Sequence, residues 1–543
     1  MRLEGGETPL RRRLLSAADV RRIDQTAEAL SAQSQAGGGV AALMRRAGAA
    51  VAAAAERRFG ARAGRAAILA GPGANGGDGY VAARELMGAG REAIVLALAP
   101  PAPGPAAEAE RAWGAAGGAV LSGDDPAAEK AFDEAAYLID ALFGVGLTRP
   151  ATGTAARWIA AANDAAARAE GPPILSVDIP SGVAVDTGRA LGPAIAAAAT
   201  VTFLAPKRGH RLGEGALLCG EVEVVQIGAP AEALARWPDQ TTELAPFLWA
   251  DEGRDHGLGK PVDAHKYDHG AALIASGGRG ASGAARLAAR ACLRIGAGLA
   301  TVAAPEGAMA ECAAQLTAVM LREAETPDAF AELLEDRRIN AVLLGPGHGA
   351  HPGGAARSRA FIETLLGSEA YRAGRRLAVL DADALTCWPE PARLFEALAL
   401  GAAVVTPHGG EFARLFPDLG AALADPAEAA RFGKIEACRA AASRAGAVVL
   451  LKGFDTVVAA PEGRAAVQTA AGARAAPWLA TAGSGDALAG LILGLGARGF
   501  AAFEAAAAGA WLHLEAGRRA GPGLIAEDLP EAITAALRGG AEA

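Results

Sequence analysis

Cysteine is scarce in this chain. Its five cysteines, Cys219, Cys292, Cys312, Cys387 and Cys438, are scattered and form no CxxC pair. That excludes a disulfide framework and a structural zinc site, and predicts reduced, buried thiols in a cytoplasmic protein. No uninterrupted apolar stretch reaches the ~20 residues needed to span a bilayer, so no membrane association is expected. The only basic run is Arg11-Arg12-Arg13, and Leu14-Leu15 behind it is too short for a signal peptide. With a formal net charge of −8, a nucleic-acid partner is not expected either. What remains is 543 residues, 52% hydrophobic and 21% charged. That is globular, and too long for one hydrophobic core, so at least two domains are expected.

In the first half, Val20 to Gly48 reads as helices. Strand candidates follow at Arg65–Ala70, Glu92–Leu98, Tyr137–Leu142, Ile174–Ile179 and Ala199–Leu204, with helical stretches between most of them. That alternation predicts a parallel sheet covered on both faces. Gly71, Gly73 and Gly76 match the G-x-G-x-x-G dinucleotide pattern, but the next strand ends Leu96-Ala-Leu-Ala-Pro100, with no acid to hold a ribose. The same pattern recurs at Gly278–Gly283 and Gly494–Gly499, so it discriminates little. More telling are acids at three strand ends, each beside glycine or proline: Asp78, Asp140 and Asp178. One alone reads as a cap or turn residue. Three at one sheet edge read as a site.

Gly71–Tyr80, Asp140–Gly146 and Val177–Gly182 together resemble the motif set of the NAD(P)H-hydrate epimerase domain. Arg21-Arg-Ile-Asp24 and Leu43-Met-Arg-Arg-Ala-Gly48 resemble its N-terminal helices. The resemblance spans residues 14 to 228 and implies a Rossmann-like α/β/α sandwich. It implies that Ala74, Asn75, Gly76, Gly77 and Asp78, then Gly144, Val145, Gly146, Leu147, Thr148, Arg149 and Pro150, and Asp178 bind the hydrated dinucleotide. It further implies that Asn75, Asp140 and Ser181 hold a potassium ion, and that Asp178 is the acid/base. An all-oxygen set suits a hard cation. This sequence departs from the family in two places: Ala74 stands where a second Asn is common, and Met44-Arg-Arg lacks an acidic residue.

Gly228 to Pro246 has two Pro-rich breaks and no strong strand pattern, so residues 229–250 are expected to be the linker between a domain at 1–228 and one at 251–543. The histidines that follow, His256, His265 and His269, lack companions that complete a metal-ligand spacing and read as a solvated loop. Strand candidates resume at Ala271–Ala275, Leu299–Ala303, Ala341–Leu344, Leu377–Leu380, Ala402–Thr406 and Ala447–Leu451. Polar groups cluster at their ends: Gly345-Pro-Gly347, Asp381-Ala-Asp-Ala-Leu385, His408-Gly-Gly-Glu411 and Lys452-Gly-Phe-Asp-Thr456. Thr481-Ala-Gly-Ser-Gly-Asp486 then opens an apolar helix, Ala487 to Leu495. Its free N–H groups and small residues suit a phosphate. Asp486 reads either as a helix cap or as a base for an attacking hydroxyl. No Walker A motif is present, because Gly259-Lys260 is followed by Pro261.

This set, with Gly280-Ala-Ser-Gly-Ala284, resembles the ribokinase-like ADP-dependent NAD(P)H-hydrate dehydratase over residues 255 to 540. The resemblance implies that Ala284, Gly347, His408 and Asp486 bind the hydrate. It implies that Lys452, Gly453, Phe454, Asp455, Thr456 and Gly485 bind the adenine nucleotide, with Mg²⁺ bridging its phosphates. Together the two resemblances imply an enzyme that epimerises the R and S hydrates (NAD(P)HX) and dehydrates the S form to NAD(P)H at the expense of ADP or ATP, as a homo-oligomer. Two rivals stay open. One is a ribokinase-like vitamin or sugar kinase fused to an α/β module. The other is a nucleotide-binding or protein-interaction module whose first domain has lost turnover.

Overall fold

The computed structural model describes residues 13–33, 39–123, 125, 127–229, 231–235, 241–244 and 258–539. Its first domain is built on seven parallel strands: β1 (Arg65–Ala70), β2 (Ala93–Ala97), β3 (Ala119–Ser122), β4 (Ala135–Ala141), β5 (Ile174–Val177), β6 (Ala199–Phe203) and β7 (Glu221–Val225). Their order is β3-β2-β1-β4-β5-β6-β7. The central strands are apolar runs because both faces are covered. In β1, Ala66, Ile68 and Ala70 face one core, with α1 (Ala17–Gln33), α2 (Gly39–Phe59) and α3 (Ala74–Gly88). Ala67 and Leu69 face the other, where Phe132 and Trp158 meet edge-to-face. Chain order reverses between β1 and β4, which opens a crevice at their C-terminal ends.

The second sheet has ten strands: β8 (Thr241–Glu243), β9 (Ala271–Ala275), β10 (Leu299–Ala304), β11 (Met320–Glu323), β12 (Ile339–Leu344), β13 (Leu377–Leu380), β14 (Ala402–Val405), β15 (Val448–Leu451), β16 (Asp455–Ala459) and β17 (Ala465–Thr469). The order is β11-β10-β9-β12-β13-β14-β15-β16-β17-β8, parallel from β11 to β15 and antiparallel from β15 to β17. Two helices on this sheet, Gly283–Arg294 and Ser484–Ala497, lie side by side. A Cβ at Gly490 would meet the Ala288 carbonyl at 2.2 Å, and one at Gly494 would meet Cys292 O at 2.7 Å. The contacts advance together along both helices, so they run parallel and their N-termini emerge at the same end.

Several expectations need correcting. The strands expected at Ile174–Ile179 and Ala199–Leu204 stop earlier, at Val177 and Phe203, because Asp178 and Leu204 have positive φ, 65° and 70°. Strands β3, β7 and β11, at the sheet edges, were not foreseen; their partly exposed residues hide the apolar signal. The expected linker contains a short helix, Ala231–Ala235, and β8. The chain divides into compact units between Thr242 and Glu243, and Ala424–Gly433 groups with the first domain. His256 lies outside the described residues, while His265 sits 3.2 Å from Asp268 in an exposed turn. Among the described residues no three His, Cys, Asp or Glu side chains form a metal-binding group. All five cysteines are buried and unpaired. No described helix is long and apolar enough to cross a membrane.

Candidate active sites

In the first domain Ala74–Asp78 form the opening turn of α3, directly after β1. Two of the surrounding glycines are required by packing. A Cβ at Gly71 would lie 1.8 Å from Leu142 O, and one at Gly76 would lie 1.8 Å from Gly71 O. A Cβ at Gly73 would meet nothing within 4 Å, so that position faces open space. Asn75 adjoins Gly144, whose added Cβ would be 3.2 Å from Asn75 Oδ1, and its Nδ2 has no hydrogen-bond partner among the described residues. The half-buried to exposed loop Gly144–Pro150 continues from there. Across the crevice, fully buried Asp140 accepts from Ser176 Oγ at 2.8 Å, Ser181 N at 2.8 Å and Ser181 Oγ at 2.5 Å. Burial raises its pKa above the usual carboxylate value, and these hydrogen bonds oppose that shift without cancelling it.

Asp178 projects from the turn after β5. Its Oδ1 accepts from Thr202 Oγ1 at 2.8 Å and pairs with the Lys207 ammonium. Two further acids are electrostatically coupled to it. Burial pushes Asp24 up to about 6, Asp178 adding to the shift and Lys207 opposing it. Asp78 is raised well above its ordinary value by burial, then by Asp178 and Asp24. Three carboxylates around one ammonium cannot all ionise cheaply. Sequence reasoning assigned no role to Asp24, Thr202 or Lys207. Ala205-Pro-Lys-Arg-Gly-His210 does follow a strand end, which was the available signal.

In the second domain the helix Ser484–Ala497 starts from Gly483, which has φ 86° and no side-chain capping bond. Asp486 therefore does not act as the cap. It is half-buried, and burial raises it to about 7, with Asp381 and Asp383 adding and Lys452 opposing. Lys452 Nζ donates to Asp381 Oδ1 at 2.7 Å and lies 3.8 Å from Glu411. Burial works against its charge, but Asp381, Glu411 and Asp486 hold it above the usual lysine value. Thr406 Oγ1 donates to the same Asp381 oxygen at 2.8 Å. A Cβ at Gly485 would fall 3.5 Å from Lys452 Nζ and 4.0 Å from Asp381 Oδ2. Packing against the rest of the protein therefore does not require glycine at this position.

The remaining expected residues gather on the same rim. An added Cβ at Gly347 would be 3.8 Å from the Ala284 methyl. Because the two helices run parallel, Ala284 shares its end of the sheet with Gly483. His408 caps its helix: Nδ1 accepts from Gly410 N at 3.0 Å, and Glu411 accepts from His408 N at 2.8 Å. Gly453 and Phe454 make the turn between β15 and β16, with Phe454 42% exposed. Asp455 opens β16 instead of lining a loop; its Oδ1 accepts from Lys434 Nζ at 2.8 Å. Thr456 Oγ1 donates to Gly453 O at 2.8 Å and stiffens that turn. Asp381, Glu411 and Lys434 were not assigned roles from sequence, because their partners lie far along the chain. Ala382, between Asp381 and Asp383, has φ 51°. Among the described residues, the three non-glycine residues with positive φ, Asp178, Leu204 and Ala382, all adjoin these two sites. Strained backbone of this kind persists where function holds it.

Two α/β sheets, each with acids and glycine-opened helix N-termini at its strand ends, define a two-domain enzyme for phosphate-bearing ligands. Residues 272–537 match the family model described as NAD(P)H-hydrate dehydratase, and residues 40–209 match the one described as YjeF-related protein N-terminus. The bifunctional NAD(P)H-hydrate repair enzyme of Moorella thermoacetica is 34% identical over 504 residues, covering 89% of both chains. That of Salinibacter ruber is 36% identical, covering 86% of both. A Bacillus subtilis ADP/ATP-dependent NAD(P)H-hydrate dehydratase crystallised with ATP and Mg²⁺ is 23% identical, with a TM-score of 0.42, covering 52% of this chain and 94% of that one. The chain belongs to the family of bifunctional NAD(P)H-hydrate repair enzymes.

Proposed function

We propose that the first domain interconverts the R and S hydrates of NAD(P)H, and that the second dehydrates the S form using ADP or ATP, releasing phosphate and, from ADP, AMP. The observation that carries this reading is Asp486, a half-buried carboxylate raised to about 7 beside an ammonium and a glycine-opened helix N-terminus. Hydroxide is a poor leaving group, and phosphate is a good one. Asp486 takes the hydroxyl proton as the hydroxyl oxygen bonds to the terminal phosphorus of the nucleotide, whose bridging P–O bond breaks. The N–H groups at Gly483–Gly485 and the Lys452 ammonium stabilise charge on the transferring group. Phosphate then departs with the C–O electron pair, and loss of the neighbouring C–H proton restores NAD(P)H. Mg²⁺ would arrive with the nucleotide and neutralise phosphate charge; Asp381 and Asp383, which act electrostatically on Asp486, would be the carboxylates to hold it.

In the first domain Asp178 is the acid/base. Its Oδ1 is occupied by Thr202 and Lys207, which leaves Oδ2 for proton transfer at the substrate. Ala74–Asp78 and Gly144–Pro150 would hold the dinucleotide. Asn75, Asp140 and Ser181 fit a monovalent cation, because they offer oxygen donors and Asp140 is a fully buried carboxylate held by hydrogen bonds from Ser176 and Ser181. Potassium there would balance that carboxylate and order the phosphate-binding turn. The buried, unpaired cysteines suit a reducing, cytoplasmic setting.

The test is to incubate the protein with mixed hydrate epimers and ADP and follow absorbance at the reduced nicotinamide band. Full conversion of both epimers to NAD(P)H, with phosphate released, is expected. A stable phosphoester without NAD(P)H would favour a ribokinase-like kinase instead.

A further inference from the structure

Two residues after β6 do more at the first site than the proposed chemistry uses. Lys207 is 2% exposed, and its ammonium spends its donors within the protein. Nζ donates to Asp178 Oδ1, to Thr202 Oγ1 at 2.7 Å and to Phe203 O at 3.2 Å. Thr202 passes its own proton to the same Asp178 oxygen at 2.8 Å. Both donors therefore converge on Oδ1, and Oδ2 carries none of these bonds.

His210, equally buried, works on the backbone. Its Nδ1 accepts from Lys207 N at 3.0 Å, so Nε2 carries the proton and donates to the Asp178 carbonyl at 2.7 Å. Only a neutral imidazole in that tautomer makes both bonds. Burial, with Lys207 and Arg211 adding, keeps the ring neutral down to about 3. One ring thus ties the left-handed turn at Asp178 to the backbone of Lys207. The segment that carries both residues is itself fixed. Leu15 N donates to Pro206 O at 2.9 Å, Arg208 N donates to Leu15 O at 3.1 Å, and Gly209 N donates to Val185 O.

We propose that Lys207 and His210 are positioning residues for the first reaction, bracing Asp178 from side chain and backbone so that Oδ2 alone is presented for proton transfer. This rests on the reading of the first domain as the epimerase. The other charged groups facing the brace are Asp24 from α1, Asp78 from α3 and Arg211.

The experiment uses the full chain and pure R or S hydrate without nucleotide, following epimer interconversion chromatographically. Dehydration of S hydrate with ADP serves as an internal control for enzyme concentration, and the first unfolding transition in calorimetry as the control for folding of this domain. His210→Ala should lower the kcat of epimerisation at least roughly tenfold, with KM for the hydrate little changed. His210→Gln, which keeps one acceptor and one donor, should recover most of that loss. Lys207→Met should cost roughly 10²-fold, the scale of a misplaced acid/base. It should also move the acid limb of the pH profile upward, because Asp24 and Asp78 lose the ammonium that holds them down. If His210→Ala does not fold, the Lys207→Met profile and His210→Gln still decide. Epimerisation at the wild-type rate in Lys207→Met, or a His210→Gln variant as slow as His210→Ala, would overturn the brace. A wild-type protein that dehydrates S hydrate yet never interconverts the epimers would sink the epimerase reading itself, and the brace with it.

Discussion

Asp178 and Asp486 both sit at the ligand end of an α/β sheet, yet their surroundings differ. Asp178 has an ammonium and a hydroxyl on one oxygen. Among the described residues Asp486 has no such partner; the neighbouring ammonium of Lys452 is hydrogen-bonded to Asp381 instead. Burial and that extra carboxylate raise Asp486 to about 7, near the operating pH of a general base. The glycines divide in the same way. Gly76 is demanded by backbone 1.8 Å away, whereas a Cβ at Gly485 would meet only ordinary contacts, the nearest at 3.5 Å. Neighbours therefore decide whether a glycine is demanded by packing, and at Gly485 they do not demand it.

The strongest way to break the comparison is to change each carboxylate to its amide. Asp486→Asn should slow dehydration by at least roughly 10²-fold, because the amide cannot take the hydroxyl proton. ADP should bind as well or tighter, since a negative charge near the phosphates has gone. Epimerisation should be untouched. Asp178→Asn should do the reverse, slowing epimerisation by roughly 10²–10⁴-fold and sparing dehydration of pure S hydrate. Turnover of both substrates by both variants decides it; near-normal dehydration in Asp486→Asn would end its role as base.

The same pair should separate on stability. Asp178→Asn replaces a charged partner of buried Lys207 with a neutral one, which should destabilise the first domain by roughly 1.5–3 kcal/mol. Calorimetry on the full chain, resolving the two unfolding transitions, would show the first one move down. An unmoved transition would mean the ion pair carries no net stability.

These partnerships explain how much was legible in the sequence. Arg65–Ala70, Ala271–Ala275 and Leu377–Leu380 form strands at the expected residues, because apolar runs between turn signals carry that information locally. The strand-end acids and glycines were legible for the same reason. Lys207 and Asp381 were not, because their meaning lies in partners 29 and 71 residues away. Nor did the sequence reveal that Asp455 opens a strand and pairs with Lys434. Position 178 was read as an acid at a strand end, but the positive φ that aims it depends on packing no local pattern encodes.

A smaller effect would sharpen the contrast between the glycines. In Gly485→Ala the new methyl meets only ordinary contacts, 3.5 Å from Lys452 Nζ, so stability should hold. The methyl does enter space kept for phosphate, and ADP affinity should fall about tenfold, or ~1.4 kcal/mol. Calorimetric titration with ADP beside a melting curve checks both. A variant that binds ADP normally would show that the nucleotide does not approach this turn.

The smallest effect has the more unexpected sign. Asp486 is raised from 3.8 to about 7 in the folded protein. Between those values the folded state holds a proton that the unfolded chain has lost, so stability falls as pH rises through that window. Above pH 7 the full cost of an ionised, desolvated carboxylate is present. Asp486→Asn removes that cost while leaving Asp381 and Glu411 to support Lys452. The second domain should therefore become more stable at pH 8, by roughly 1 kcal/mol after allowing for the partial exposure of the group. Near pH 4 most of the gain should be gone, because the wild-type carboxyl is then protonated in the folded protein and close to half protonated in the unfolded chain. Melting temperatures of wild type and variant across pH 4 to 8 would trace the difference. A variant less stable than wild type at pH 8 would mean that Asp486 is bound into the fold as Asp178 is, and the two domains would lose the distinction drawn between them.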